Sequence, residues 1–336
     1  MRQKQILLAL SCAIALLALA NVFCGSVSIP ASEVWHILCG RQDPGNTAWY
    51  MIVHESRIPQ AVTAMFCGAS LGTCGLLLQT AFRNPLAGPS ILGIDAGASL
   101  GVALVLLGCG STWGNLGTGT HALAITAAMG GAIATMLLLL ALARTLHDKV
   151  MLLVSGVVIA NVTGSMIQLL NYGATEQGIR SFVVWGMGDF SGVAIGSLPT
   201  FIALTSAGLL LAALLVKPLD ALLLGDRYAQ NLGIGIRRTR QWLLLTTGLL
   251  TAVTTAYCGP IAFIGLAVPH MARMTLASSS HRTLLPGTMM TGACLALTCN
   301  LLSTTLPSNG GIIPINVITP LMGAPVILYI ILKNKS

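Results

Sequence analysis

Asp95, in Ile91-Leu-Gly-Ile-Asp95-Ala-Gly, is the one acid set deep in an apolar run, and a carboxylate there has two uses. It can relay a proton or cation, or it can bond to backbone amides near the end of a span. No basic side chain stands near it in the apolar segments to complete an ion-coupling pair. Nucleophilic chemistry is suggested by Gly-x-Ser-x-Gly, which occurs at Gly68–Gly72 and again at Gly97–Gly101. A nucleophile elbow needs a strand-turn-helix setting and a histidine partner, and both copies lie in apolar spans, so they read as packing. His36 and Cys39 lack a second pair to form a zinc site, and the nine cysteines, with no CxxC, read as small buried hydrophobes. His270 has no His, Cys or acid at helical spacing and reads as a packed, hydrogen-bonded residue rather than a ligand. No metal site and no catalytic residue emerge.

The densest polar chemistry is the island 217–240, KPLDALLLGDRYAQNLGIGIRRTR. It carries five of the seventeen basic residues, Lys217, Arg227, Arg237, Arg238 and Arg240, together with Asp220 and Asp226. Inside it a short helix is expected. Asp226 suits the N-terminus, Ala229 and Leu232 share a face, and Gly233 can close the C-terminus. Local pattern leaves two readings open: a solvated loop held on one side by its charge, or a small helix presented to a soluble partner.

Composition decides the class of protein that carries these residues. Hydrophobic residues make up 55% of the 336 and charged residues 8%, far below the roughly 25% of a soluble domain. The formal net charge of +8 has no basic stripe with interleaved aromatics, which excludes nucleic acid as a partner. Spans of about 20 apolar residues are expected at 5–24, 58–81, 91–109, 121–143, 150–172, 195–216, 242–257, 261–276, 284–305 and 313–332. The eighth is expected to be interrupted at Pro269-His270. Ser32 begins a short amphipathic helix in the loop before the second span, and 176–191 reads as an interfacial half-helix with Trp185 at headgroup level. Ten spans with both termini inside leave only Arg41, Arg57 and Arg180 outside, so fourteen basic residues face the cytoplasm. The expectation is one all-α polytopic membrane domain over 1–336, multi-pass in the cell inner membrane and in contact with lipid. Glycines four apart, Gly68 with Gly72 and Gly93 with Gly97 and Gly101, put small residues on helix faces for close crossings. No GxxxxGK[ST] occurs, so ATP is not bound here in a P-loop.

Several segments in fixed order carry a resemblance. They are Arg57-Ile-Pro59; Arg83-Asn-Pro-Leu-Ala-Gly-Pro89; Leu92-Gly93 with Gly97-Ala98; Trp185-Gly-Met-Gly188; Leu224-Gly-Asp226 with Ala229 and Leu232-Gly233; Gly259-Pro-Ile-Ala-Phe-Ile-Gly265-Leu266 with Pro269-His270 and Arg273; and Gly323-Ala-Pro325. Together they resemble the FecCD family of ABC importer permeases, which handle iron-siderophores, haem and vitamin B12, over roughly residues 5–333.

The resemblance implies a vitamin B12 permease-like (type II ABC importer) fold and a non-catalytic subunit. It implies a homodimer, or a heterodimer with a sister permease, with two separate ABC ATPase subunits that carry the ATP and magnesium, and an extracytoplasmic binding protein. Leu224, Gly225, Asp226, Arg227, Ala229, Leu232 and Gly233 would form the coupling helix to the ATPase. Asn84, Pro85 and Leu86 would form one part of the cytoplasmic gate and the 147–150 segment, with Lys149 and Val150, the other; Lys149 and Val150 depart from the small polar residues of the family's pattern. Arg57 would dock the binding protein, with Gln60 standing where a second arginine can occur. Gly265, Pro269, His270 and Arg273 belong to the motif. The alternative class is an ion-coupled secondary transporter using Asp95.

Overall fold

The computed structural model describes residues 2–40, 47–108, 118–146, 148–306 and 312–333, and among these it is helical with no strand. The order is α1 (Arg2–Phe23), α2 (Ala31–Leu38), α3 (Thr47–Met51), a π-helical segment (Ile52–Arg57), α4 (Ile58–Phe82), a 3-10 turn (Pro89–Leu92), α5 (Ile94–Leu106), α6 (Thr118–Thr145), α7 (Lys149–Tyr172), α8 (Glu176–Gly186), α9 (Leu198–Leu214), α10 (Val216–Leu224), α11 (Asp226–Asn231), α12 (Ile236–Cys258), α13 (Ile264–Leu276), α14 (His281–Thr305) and α15 (Ile315–Lys333). Five helical stretches are long and apolar enough to cross a membrane, and α9 with α10, bent by 46° at Leu215, makes a sixth. At about 1.5 Å per residue, the 13-residue helices α5 and α13 reach roughly 20 Å, short of a full hydrocarbon core.

Helix α4 is the axis of the bundle. It is buried along most of its length and packs against α14, α12, α13 and α9. Small residues make this approach close. A methyl added at Gly68 would overlap the Gly292 carbonyl of α14, and one added at Gly292 would overlap the Gly68 carbonyl. Gly72 packs on Val268, while Gly97 meets Gly131 and Thr135 of α6. The expected close crossings are therefore present, with one difference. Gly93 lies before α5 in a left-handed conformation and meets Gly156 and Ala160 of α7, so it is not on the face that Gly97 and Gly101 share.

Helix α12 sits in this core despite its low hydropathy. Thr246, Thr247 and Thr254 return their hydroxyls to Trp242, Leu243 and Leu250 of their own helix, so the polar groups enter the core satisfied. By contrast α7 leaves most of its length exposed, including Val150, Val154, Val158, Met166 and Leu169.

Two expectations are corrected here. Helix α13 begins only at Ile264, after Phe263 in a left-handed conformation, and then runs unbroken through Pro269. The Pro269 ring instead fills the space over Gly75 of α4. The island 217–240 is not a single loop: α10 takes its start, and Arg237, Arg238 and Arg240 lie in the first turns of α12. Trp185, in the segment expected to be interfacial, is half-buried and stacks on Phe182 with centroids 6.2 Å apart.

Candidate coupling and gate elements

The island folds into a small structure of its own. Gly225, with φ of 122°, breaks the chain between α10 and α11, a conformation that side chains with a Cβ rarely adopt. At the other end the Gly233 amide donates to the Gln230 carbonyl at 2.9 Å and the Ile234 amide to the Ala229 carbonyl at 3.0 Å. These are the two bonds of a Schellman cap, with Gly233 left-handed at φ of 79°. Ala229 is fully buried against Ala221 and Leu222 of α10, and Ile234 and Ile236 close the same cluster.

That burial separates two residues expected on one face. Ala229 packs inward within this chain, whereas Leu232 is exposed. Tyr228 and Leu232, four apart on α11 and its cap, are exposed with Arg227 beside them, and Leu224 is exposed at the end of α10 before the Gly225 break. Sequence reasoning missed Tyr228, although its spacing from Leu232 was there to be read.

The turn after α4 is built from its own side chains. Arg83 caps the helix in a left-handed conformation at φ of 49°. The Asn84 side-chain oxygen accepts from the Leu86 amide at 2.9 Å, and the Asn84 carbonyl accepts from the Ala87 amide at 3.0 Å. The turn is then tied to two other elements. Arg83 Nη2 donates to the Leu222 carbonyl in the last turn of α10, at 2.9 Å, three residues before Gly225. His270 Nε2 donates to the Pro85 carbonyl at 2.8 Å, which links the turn to α13. His270 is thus a structural donor, as expected.

Below these contacts, polar side chains close the helix ends. Arg273 donates to Gln79 Oε1 at 2.7 Å, and Gln79 donates on to the Leu266 carbonyl at 3.2 Å. Buried His281 lies between Thr80 at 2.9 Å and Asp220 at 2.8 Å, and its own amide donates to Asp220 at 2.7 Å. Asp220 therefore anchors α10 to the start of α14. Gly265 packs on Pro89 and Leu71, so the motif residues Gly265, Pro269, His270 and Arg273 all serve the α4–α13 contact or the turn between them.

On the other expected gate segment, Asp148 caps α7 by accepting from the Val150 amide at 2.9 Å. Val150 and Leu86 are both exposed. The Lys149 side chain and His147 lie outside the described residues.

The expected docking residues, Arg57 and Gln60, are both buried in this chain. Arg57 is 5% exposed, and its guanidinium donates to the carbonyls of Val22 and Phe23 at 2.9 Å and of Val27 at 2.5 Å. It closes the C-terminal end of α1, where helix carbonyls lack partners, and offers no free charge to a binding protein.

Asp95 sits in the first turn of α5, where its carboxylate accepts from the Ala96 amide at 2.9 Å and a bond from Ser90. That is the helix-end role rather than a relay chain. The two Gly-x-Ser-x-Gly serines lie inside α4 and α5, with Ser99 donating to the Asp95 carbonyl, so neither forms an elbow. No group of three or more metal-ligating side chains occurs among the described residues.

At the opposite end from the island, Asn316 ties the start of α15 to the end of α8 and to the loop between α12 and α13. Its amide nitrogen donates to the carbonyls of Gly186 and Pro260, at 3.1 and 2.6 Å, and its oxygen accepts from the Ala262 amide at 3.1 Å. A lone Asn between two apolar residues gave no signal of this.

Relatives share this architecture along their length. The chain is 33% identical over 322 residues to the hemin transport system permease protein HmuU of Yersinia pestis, covering 96% of this chain and 93% of that protein. It is 34% identical over 287 residues to the vitamin B12 import system permease protein BtuC of Klebsiella pneumoniae, 85% of this chain and 84% of that one. With the Fe(3+) dicitrate transport system permease protein FecD of Escherichia coli it shares 33% identity over 320 residues, 95% of each. A solved chain described as an inward-facing conformation of a metal-chelate type ABC transporter superposes with a TM-score of 0.84 at 27% identity, covering 98% of this chain and 99% of that chain. The FecCD transport family pattern matches residues 13–333, and the chain belongs to that family.

Proposed function

We propose that this chain is the membrane-spanning permease subunit of an ATP-binding cassette importer for a metal chelate or corrinoid of the iron-siderophore, haem or cobalamin kind. A binding protein delivers the cargo from outside, and ATP is hydrolysed on separate subunits. The single observation that carries the reading is the exposed pair Tyr228 and Leu232 on a short helix that Gly225 and a Schellman cap fix at its two ends, in a chain of the FecCD family. Apolar side chains held on a rigid turn in water fit the cleft of a soluble partner. The bonds Arg83–Leu222 and His270–Pro85 would pass a push on that helix to the turn bearing Asn84 and Leu86, and to α13.

The exposed face of α7 supports a second permease copy. Asn161, Ser165 and Gln168 stand along it among Val158, Val162 and Leu169. Amide side chains facing lipid are costly, so a neighbouring subunit or a water-filled path should cover them. Leu86 and Val150, exposed in one chain, would then close the path against the second copy.

The test is uptake in proteoliposomes holding the permease, its ATPase and its binding protein. Labelled ferric siderophore, haem and cobalamin should be compared with and without ATP. One cargo should accumulate only with ATP and should still do so when a protonophore collapses the proton gradient. Uptake that follows the gradient and ignores ATP would sink the reading.

A further inference from the structure

Beside Arg83 lies a cavity of about 360 Å³ whose charge none of the roles above uses. Arg83 borders it from the end of α4, Arg273 from α13, Ser279 and His281 from the start of α14, and Leu223 from α10. No carboxylate lines it among the described residues. The volume falls in the range of small-ligand sites.

The hydrogen bonds around the cavity leave a defined set of donors. His281 has Thr80 on one ring nitrogen and Asp220 on the other, so it has no donor to offer. Gln79 spends its oxygen on Arg273 and its nitrogen on Leu266. Asp220 is held by His281 and Ser280. Arg273 uses Nη1 on Gln79, and Arg83 uses Nη2 on Leu222. A guanidinium carries five N–H groups in a fixed fork, so most of each fork remains. Each arginine thus has one donor engaged while its side chain lines the cavity. Two like charges facing one partly dehydrated space repel, and an oxyanion between them removes that repulsion and supplies paired acceptors.

We propose that this cavity is an oxyanion site that takes a phosphate group through Arg83 and Arg273, with the Ser279 hydroxyl as a third donor. The volume and the Leu223 wall suit a phosphate ester. The ester can be a soluble phosphate compound or the headgroup of an anionic lipid, and the experiment separates these sources. The site does not rest on the transport reading, because its test reads binding to the purified chain.

The full-length chain in neutral detergent is titrated by calorimetry with inorganic phosphate and with glycerol 3-phosphate. In parallel it is placed in nanodiscs of phosphatidylcholine with or without phosphatidylglycerol, and retained lipid is counted by native mass spectrometry. Saturable binding of either soluble probe, or selective retention of phosphatidylglycerol, supports the site and names its source. Arg83→Gln should weaken binding about tenfold or more, since a charge-assisted bond is worth roughly 1.5–3 kcal/mol, while the Gln79–Arg273 bond is kept and the thermal midpoint falls only slightly. Ser279→Ala should weaken it only a few-fold. Binding that is absent in both formats overturns the proposal, as does equal binding by wild type and the Arg83→Gln/Arg273→Gln double variant. An anion captured only when the ATPase is added also overturns it, because the acceptor would then be a partner's carboxylate.

Discussion

Two arginines bracket the central helix, and they do different work. Arg57 ends the segment before α4, and Arg83 caps α4 at its far end. Both donate to carbonyls at the C-terminus of another helix, Arg57 to α1 and Arg83 to α10. Arg57 is buried and holds three carbonyls, so its charge is spent on the fold. Arg83 is exposed, makes one such bond, and lines a cavity. The number of acceptors around each guanidinium, rather than its presence in a motif, separates a structural residue from one able to transmit movement or bind a ligand.

The largest expected effect breaks the buried member of this pair. Arg57→Ala takes the donor from the Val22 and Phe23 carbonyls at the end of α1 and from the Val27 carbonyl beyond it, and should cost about 3 kcal/mol. Thermal unfolding in detergent should show a large drop in midpoint, and binding-protein affinity should fall only as the folded fraction does. A specific loss of affinity in well-folded Arg57→Lys protein would restore the docking role.

Next comes the helix between them. Gly68→Val drives a side chain into the Gly292 backbone, and overpacking of this kind costs about 1–3 kcal/mol. The same thermal measurement checks it, and Gly164→Val in α7, where a Cβ meets nothing within 4 Å, should leave the midpoint almost unchanged.

Asp148→Ala removes the cap of α7, with an expected loss of about 1 kcal/mol. Urea or heat midpoints should shift by that modest amount, and Asp148→Asn should recover most of it.

The smallest stability change, and the most informative functional one, belongs to Arg83→Gln. An exposed charge bonded once to a carbonyl should contribute only about 1 kcal/mol. If the turn and α10 move together, transport per ATP hydrolysed should fall several-fold while the ATPase rate is retained. Unchanged stoichiometry would show that the Arg83–Leu222 bond transmits nothing.

The helical plan could be read from hydropathy because lipid demands long apolar stretches, and a helix lies over each of the ten expected segments. The island showed its short helix through Asp226 and Gly233, since turn chemistry is local. Which residues face outward was less legible. Ala229 and Leu232 suit one face by spacing, yet α10 folds back on the first and leaves the second exposed. Likewise α12 has low hydropathy because its threonines count as polar, although each returns its hydroxyl to a carbonyl one turn back in the same helix.

By itself, then, the sequence determined an all-helical membrane chain, its turns at Gly225, Gly233 and Asn84, its FecCD character and its lack of a P-loop. These depend on composition and on contacts within a few residues. The tertiary structure alone decided that Arg57 is sealed under α1, that Arg83 reaches Leu222, that Asn316 joins the end of α8 to the loop between α12 and α13, and that Arg83 and Arg273 line one cavity. Each of these is a contact between residues more than thirty positions apart, and no local pattern in the chain specifies which distant carbonyl a guanidinium will find.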